Sequence, residues 1–300
     1  MNLTCWIIYN GFLKSNKFID YAEMFQKAAI KRGHQAILYK NSDLLPLLTN
    51  ELSILNNSHK TLPDYVVFTD KDIYLAKQLE LLGLPVFNAS RAIEISDDKI
   101  LTYQYLSARK LPIPKTIISP KTYGLTIRED ELFLNQVMNV FSFPFIIKEA
   151  FGSFGEQVYL VHNEEELKKV SENISNRPFV FQEFIESSYG KDIRVQVVGD
   201  KVVAAMIRTA QDDFRANVTS GGTMQPYQPT KLEQEVAIKA TKAIGAGFAG
   251  VDLLFGKNNT PIICEINSNA HLRNLLDCTG INAADDIIHY IEQKLKEVTP

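Results

Sequence analysis

The sequence is poor in cysteine, balanced in charge and without a long apolar run, and each lack removes a class of protein. Cys5, Cys264 and Cys278 are the only thiols in 300 residues. Their number is odd, their spacing fits no metal-ligand motif and two lie in apolar stretches. They read as buried thiols of a reducing compartment, with no disulfide framework. A net charge of -3, from 32 basic and 35 acidic residues, gives neither nucleic acid nor an anionic membrane a reason to bind. No apolar run is long enough for a bilayer span, and the opening MNLTCWIIYNG has no basic n-region. The expected location is therefore the cytoplasm. Also missing are a G-x-G-x-x-G after the first strand, a Walker A loop, a G-x-S-x-G elbow and an obvious Cys-His pair. Dinucleotide binding there, a P-loop and acyl-enzyme chemistry thus lack support. There is no internal repeat, low-complexity tract or long linker.

What is present is a folded, globular chain with 45% hydrophobic residues, enough to fill real cores. Its first part alternates strand and helix. Residues Cys5 to Asn10 are apolar, and in FIDYAEMFQKAAIKRG the residues Phe18, Tyr21, Ala22, Phe25, Ala28 and Ala29 recur at helical spacing before Gly33. QAILYK, DYVVFTD with KDIYLAKQLELLG, and PVFN continue that alternation, which predicts a parallel α/β unit over residues 1–95. A second unit, 96–185, opens with the capped helix SDDKILTYQYLSARK and the prolines of LPIPKT. It runs through FPFIIKEA, FGSFGEQ, QVYLVHN and NEEELKKVSENI to FVFQEFI, a compact α+β set that could act as a lid. The third, 186–300, holds a hairpin turning at Gly199-Asp200, a Gly-rich loop, the helix KLEQEVAIKATKAIG, a second hairpin GVDLLFGKNNTPIICEIN and a final amphipathic helix from Asn282.

Chemistry gathers on the second hairpin. Glu265 and Asn267 are two apart on an otherwise apolar strand, so they share a face, and an antiparallel partner can bring Asp252 beside them. Three hard oxygen donors suit Mg²⁺ bridging a triphosphate; solvated strand residues remain the plain alternative. Lys148 ends an apolar strand, where an unpaired ammonium is costly, so an anionic partner is expected. The loop Gly152-Ser153-Phe154-Gly155 can turn backbone N–H groups on phosphates, or be an ordinary tight turn. Gln182 and Glu183 can read an adenine edge or ribose as a hinge between domains, or simply end a buried strand. Arg208 and Arg215 flank TAQDDFRAN and could do no more than pair with Asp212 and Asp213. His34, His59, His162 and His289 look like surface or helix residues without partners.

The order of these parts, Lys99, Lys148 with the glycine loop, QEFIESSYGKDIR, DFRAN, GVDLL and CEINSN, resembles the ATP-grasp superfamily. Within it the chain is most similar to the RimK-type carboxylate–amine ligases, glutamate ligases among them. The resemblance spans about Ser96 to the C-terminus, including TGINAADDIIHYIEQKL, and is weaker before it. It implies a three-part ATP-grasp architecture of mixed α/β and α+β class: a parallel α/β domain, a small central lid and an antiparallel-sheet domain, with nucleotide between the last two. It also implies that Lys99 and Lys148 contact the phosphates and that Gly152 to Gly155 cover them. Gln182, Glu183, Phe184 and Ile185 would hold the adenosine, with Asp192 further along that segment. Arg208, Arg215 and Asn217 would line the active site, and Asp252, Glu265 and Asn267 would ligate one or two Mg²⁺, for which Mn²⁺ could substitute.

The activity so implied is an ADP-forming ligation of a carboxylate to an amine through an acyl phosphate. The substrates would be small molecules, amino acids or peptides, and a homo-oligomer remains open. A phosphotransferase, or a nucleotide-binding module without catalysis, would use the same site and stands as the alternative. The chain departs from the family where a Ser-Pro-Gly type turn usually follows the metal asparagine. Here it reads Ser268-Asn269-Ala270-His271-Leu272-Arg273, which makes His271 and Arg273 candidate substrate contacts.

Overall fold

The structure, a computed structural model, describes residues 2–56, 61–123, 130–152, 155–216 and 222–298. Ser153, Phe154, Asn217 and His59 lie outside these described residues. Three main sheets and one separate two-stranded ribbon carry the strands.

The first part runs β1 (Thr4–Tyr9), α1 (Asn16–Lys31), β2 (Gln35–Lys40), β3 (Leu44–Leu48), β4 (Leu52–Asn56), β5 (Tyr65–Phe68), α2 (Ile73–Leu81) and β6 (Val86–Phe87). Strands β2-β1-β5-β6 form a parallel sheet, and β3-β4 an antiparallel ribbon. The strands are apolar on both faces because both are covered. Trp6, Ile8, Val66 and Phe68 point one way, onto Leu75 and Leu79 of α2. Cys5, Ile7, Tyr65 and Val67 point the other way, onto Tyr21, Phe25 and Ala28 of α1. Because β2 and β5 flank β1 on opposite sides, the direction of winding reverses between β1 and β5, the place where open α/β sheets leave a crevice at their carboxyl ends.

Next come α3 (Ser90–Asp97), α4 (Lys99–Ala108), β7 (Thr116–Ile118), α5 (Glu131–Val140), β8 (Phe145–Glu149), β9 (Val158–Val161), α6 (Glu164–Asn173) and β10 (Phe179–Glu183). The sheet order is β7-β10-β8-β9, all antiparallel. Asp98 caps α4, its carboxylate accepting from the amides of Ile100 at 2.8 Å and Leu101 at 3.3 Å. Asn163 caps α6 above three glutamates in its first turn. Phe145, Ile147, Phe179 and Phe181 pack on Leu134 and Val137 of α5 and Leu167 of α6. Helix α4 instead sends Tyr103 and Leu106 into the core of the third sheet.

That sheet has the order β13-β12-β11-β14-β15, from β11 (Lys191–Val198), β12 (Lys201–Thr209), β13 (Thr223–Pro226), β14 (Phe248–Phe255) and β15 (Pro261–Asn267). The predicted hairpin is present, Val198 pairing Lys201 around Gly199 at φ 58°. Helix α7 (Lys231–Ala243) covers one face through Val236, Ala237 and Ala240. Helices α8 (Arg273–Thr279) and α9 (Ala283–Val298) place Leu275, Ile287 and Ile291 in one cluster with α1, β1 and β12. The first and third units therefore share a core. Asn88 joins them too: Nδ2 donates to the carbonyls of Phe248 at 2.9 Å and Ser268 at 3.0 Å, and Oδ1 accepts from Gly247 at 2.8 Å. His34, expected on the surface, is buried in this junction, with Nδ1 2.6 Å from Tyr65 Oη and Nε2 3.0 Å from Glu292 Oε1. His162 pairs with Glu166, and His289 lies 2.9 Å from Arg32 Nη2. Among the described residues no helix is long and apolar enough to cross a membrane.

Candidate active site

Strand register builds the site. Asp192 and Arg194 are two apart on β11 and share a face. Arg208 of β12 sits opposite Asp192, and Asp252 of β14 opposite Arg194. Glu265 of β15 is opposite Asp252, and Asn267 opposite Gly250. Four adjacent strands thus line up one charged face. Arg208 donates through Nε and Nη2 to Asp192 at 2.7 and 2.6 Å, and Arg194 does the same to Asp252 at 2.8 and 2.7 Å. Arg208 Nη2 also lies 2.9 Å from Asp252 Oδ2. Burial pushes the Asp252 carboxyl up, but the two guanidiniums outweigh it and bring it down to about 2.

Two of these facts differ from the sequence reading. Arg208 does not pair with Asp212 or Asp213; it is locked onto Asp192 and Asp252. Arg194 went unrecognised, although the alternation in Asp192-x-Arg194-x-Gln196 put it on the face of a candidate residue.

The lysines approach from the middle unit. Lys148, 7% exposed, points Nζ at Tyr103 Oη, 3.4 Å, and Cys264 Sγ, 3.6 Å. Burial depresses its ammonium, but Cys264, Tyr103 and the carboxylate of Glu265 more than offset this and hold its pKa above the ordinary lysine value. Lys99 opens α4; its Nζ lies 3.8 Å from Glu265 Oε1 and donates to the carbonyl of Gly152 at 3.3 Å. Gly152 has φ 149°, and a Cβ there would come within 2.3 Å of Gln157 Oε1, so this turn needs glycine. Arg215 donates to the carbonyl of Gly155 and pairs with Asp213 at 2.7 Å. The DFRAN run therefore reaches the glycine loop.

The segment read as the adenosine hinge divides. Gln182 is buried, accepting from Tyr103 Oη at 3.3 Å and donating to Thr116 Oγ1 at 2.9 Å. Glu183 is exposed and accepts from the amide of Lys115 at 3.2 Å. Phe184 stands edge-on to Tyr189 and Phe214, both at 6.2 Å, and Ile185 leads into a 3₁₀ turn, Glu186–Ser188.

The donors fit a hard divalent cation. Asp252 Oδ1 receives one hydrogen bond, from Arg194 Nε, and keeps a lone pair. Glu265 is partly exposed, with Lys99 beside it. The buried Nδ2 of Asn267 has no hydrogen-bond partner among the described residues; half a turn of the amide presents Oδ1 there. No three histidine, cysteine or carboxylate side chains converge as metal ligands among the described residues, so the set reaches three donors only through Asn267. Oxygen donors alone are what Mg²⁺ selects.

The loop after Asn267 faces the first unit. His271 packs on Phe18 and Tyr21, centroids 5.2 and 5.0 Å away, and burial brings its imidazole down to about 4. Arg273 Nε donates to Asp20 Oδ2 at 2.9 Å. Both candidate substrate contacts are thus engaged with α1.

Comparison with known proteins gives the family and the fold. Residues 96–291 match the RimK-like ATP-grasp domain. A protein of Vibrio atlanticus named probable alpha-L-glutamate ligase is 33% identical over 303 residues, covering 95% of this chain and 96% of that protein. Two solved structures share the fold. The D-alanine–D-alanine ligase of Bacillus anthracis complexed with ATP has a TM-score of 0.71 at 17% identity, covering 99% of this chain and 98% of that one. The ATP-grasp ligase PsnB, complexed with a phosphomimetic variant of its minimal precursor, Mg and ADP, has a TM-score of 0.69 at 16% identity, covering 98% and 99%. The chain thus belongs to the RimK-like ATP-grasp family and is an ATP-grasp ligase.

Proposed function

We propose that the protein activates a carboxylate with ATP as an acyl phosphate and joins it to an amine, releasing ADP and phosphate, with L-glutamate or a glutamyl peptide among its substrates. The observation that carries this reading is the charged face across β12, β11, β14 and β15, on which every acid but Glu265 is held by a guanidinium. The substrate class is taken from the alpha-L-glutamate ligase named above, which is similar along nearly its whole length.

A carboxylate resists amines because its leaving group would be an oxide; phosphorylation turns that oxygen into phosphate, which leaves readily. Lys148, enclosed and still protonated, and Lys99, anchored at the head of α4, bind phosphate oxygens as fixed charges. Asp252, Glu265 and Asn267 would hold Mg²⁺, which supplies charge neutralisation at the transferring phosphoryl group. Arg208 cannot swing freely, being held by Asp192 and Asp252, so its charge is preorganised for an oxyanion. Arg215, bonded to the carbonyl of Gly155, would keep that glycine beside the site, where exclusion of water would protect an acyl phosphate.

Purified protein incubated with Mg-ATP, L-glutamate and short glutamyl peptides should yield an amide together with ADP and phosphate by mass spectrometry. Glu265→Gln should lower that rate about 100-fold. A stable phosphorylated product without amide would sink the ligase reading, and an unimpaired Glu265→Gln enzyme would sink the metal assignment.

A further inference from the structure

We propose that Asp70, at the crevice between the carboxyl ends of β1 and β5, holds the ammonium of the amine substrate. The inference rests on the ligase function proposed above and deepens it.

Asp70 lies just beyond β5, 8% exposed. Its two oxygens accept from one side chain, the Nδ2 of Asn10 just beyond β1, at 3.2 and 3.1 Å. The backbone amide of Lys71 donates to it as well, and the Lys71 ammonium, itself paired with Asp97, adds a weaker pull. The carboxylates buried as deeply on the charged face of the third sheet, Asp192 and Asp252, each have a guanidinium. Burial accordingly pushes the Asp70 carboxyl above the ordinary range. A carboxylate that stays under-solvated despite these donors is completed by a bound cation.

Position says which cation. The switch point between β1 and β5 is where such sheets receive ligands, and the loop leaving the ligating strand closes over it. Asn269, two residues beyond Asn267, donates Nδ2 to the backbone carbonyl of Asp70 at 2.7 Å, while its own Oδ1 is buried without a partner. A carboxylate and an amide oxygen, both acceptors in want of donors, stand at one edge of the reaction site. An alkylammonium brings three donors and a positive charge.

Chemistry is consistent with the placement. The bound ammonium gives one proton to Asp70, and the free amine attacks the carbonyl carbon of the acyl phosphate. The C–N bond forms, the C–O bond to phosphate breaks, and the second proton leaves with the phosphate as hydrogen phosphate.

The test separates this site from the activation step. A glutamyl peptide serves as the acid, and either L-glutamate or hydroxylamine, which is uncharged at neutral pH, as the amine. Asp70→Asn should raise the KM for L-glutamate by about 10- to 100-fold and leave hydroxamate formation from hydroxylamine near the wild-type rate. Asn269→Ala should raise the same KM less, again sparing the hydroxamate. An unchanged KM for L-glutamate in Asp70→Asn overturns the proposal while the ligase reading stands. Equal loss of both products in a variant that melts like the wild type also overturns it, since Asp70 would then serve activation. A wild type that makes neither amide nor hydroxamate overturns the ligase reading and the amine site with it.

Discussion

Arg194 shows how much of this site is made by pairing between side chains. Together with Arg208 it draws the Asp252 carboxyl down against the upward push of burial, which keeps the oxygens proposed for the cation charged. Arg194→Ala leaves a buried carboxylate with half its compensation, and the expected loss is about 3 kcal/mol of stability, measured by urea unfolding. Arg194→Lys should recover little, because an ammonium cannot make the two parallel bonds. Sequence made the placing of Glu265 beside Asp252 on neighbouring strands legible, since the spacing on a hairpin has geometric meaning by itself. It left Arg194 invisible, because an arginine in a strand acquires meaning only from the residue opposite. His271 and Arg273 read as ligand contacts for the converse reason: their partners Phe18, Tyr21 and Asp20 lie some 250 residues away in sequence, as the separation of 253 between Arg273 and Asp20 shows.

At the scale of elements, local signals did well where period and punctuation agreed. The capped helix at Asp98, the hairpin at Gly199 and the apolar strands of the parallel sheet follow from capping, turn chemistry and burial on both faces. The ribbon β3-β4 did not announce itself, because LLPLL has no alternation and Pro46 argues against a strand. The glycine turn was legible as a turn, and the demand at Gly152 is visible only in three dimensions. Gly152→Ala puts a methyl against Gln157 at a backbone angle that side chains avoid. The expected result is a fall of about tenfold or more in kcat/KM for ATP with little change in melting temperature, because the strain sits in one loop and the core clusters are untouched.

Across the whole molecule, the junction of the first and third units carries a pH dependence. The His34 side chain is fully enclosed between Tyr65 and Glu292. Burial lowers its pKa from the ordinary 6.5 despite the pull of Glu292. The folded protein therefore binds this proton less readily than the unfolded chain, and stability falls as pH drops through 6.5. His271, brought down to about 4, adds to the fall in the same sense. Melting temperature followed from above pH 6.5 to below it should decline, and His34→Gln should flatten the decline; a wild-type curve that is level across that range would contradict the reading.

The stretch from Asn267 to Arg273 has a thermodynamic consequence. Within six residues of Asn267, the asparagine proposed to hold Mg²⁺, the chain is fastened to Asn88 and Ser96 through Ser268, to Asp70 through Asn269, and to Asp20 through Arg273. One short segment thus touches both the metal position and the place proposed for the amine. Linkage is symmetrical: any factor by which cation loading alters affinity for the amine is returned, unchanged, as the factor by which the amine alters affinity for the cation. Titrating Mg²⁺ at several concentrations of the amine would measure that factor directly, and its size would report how stiffly seven residues transmit force between two substrates.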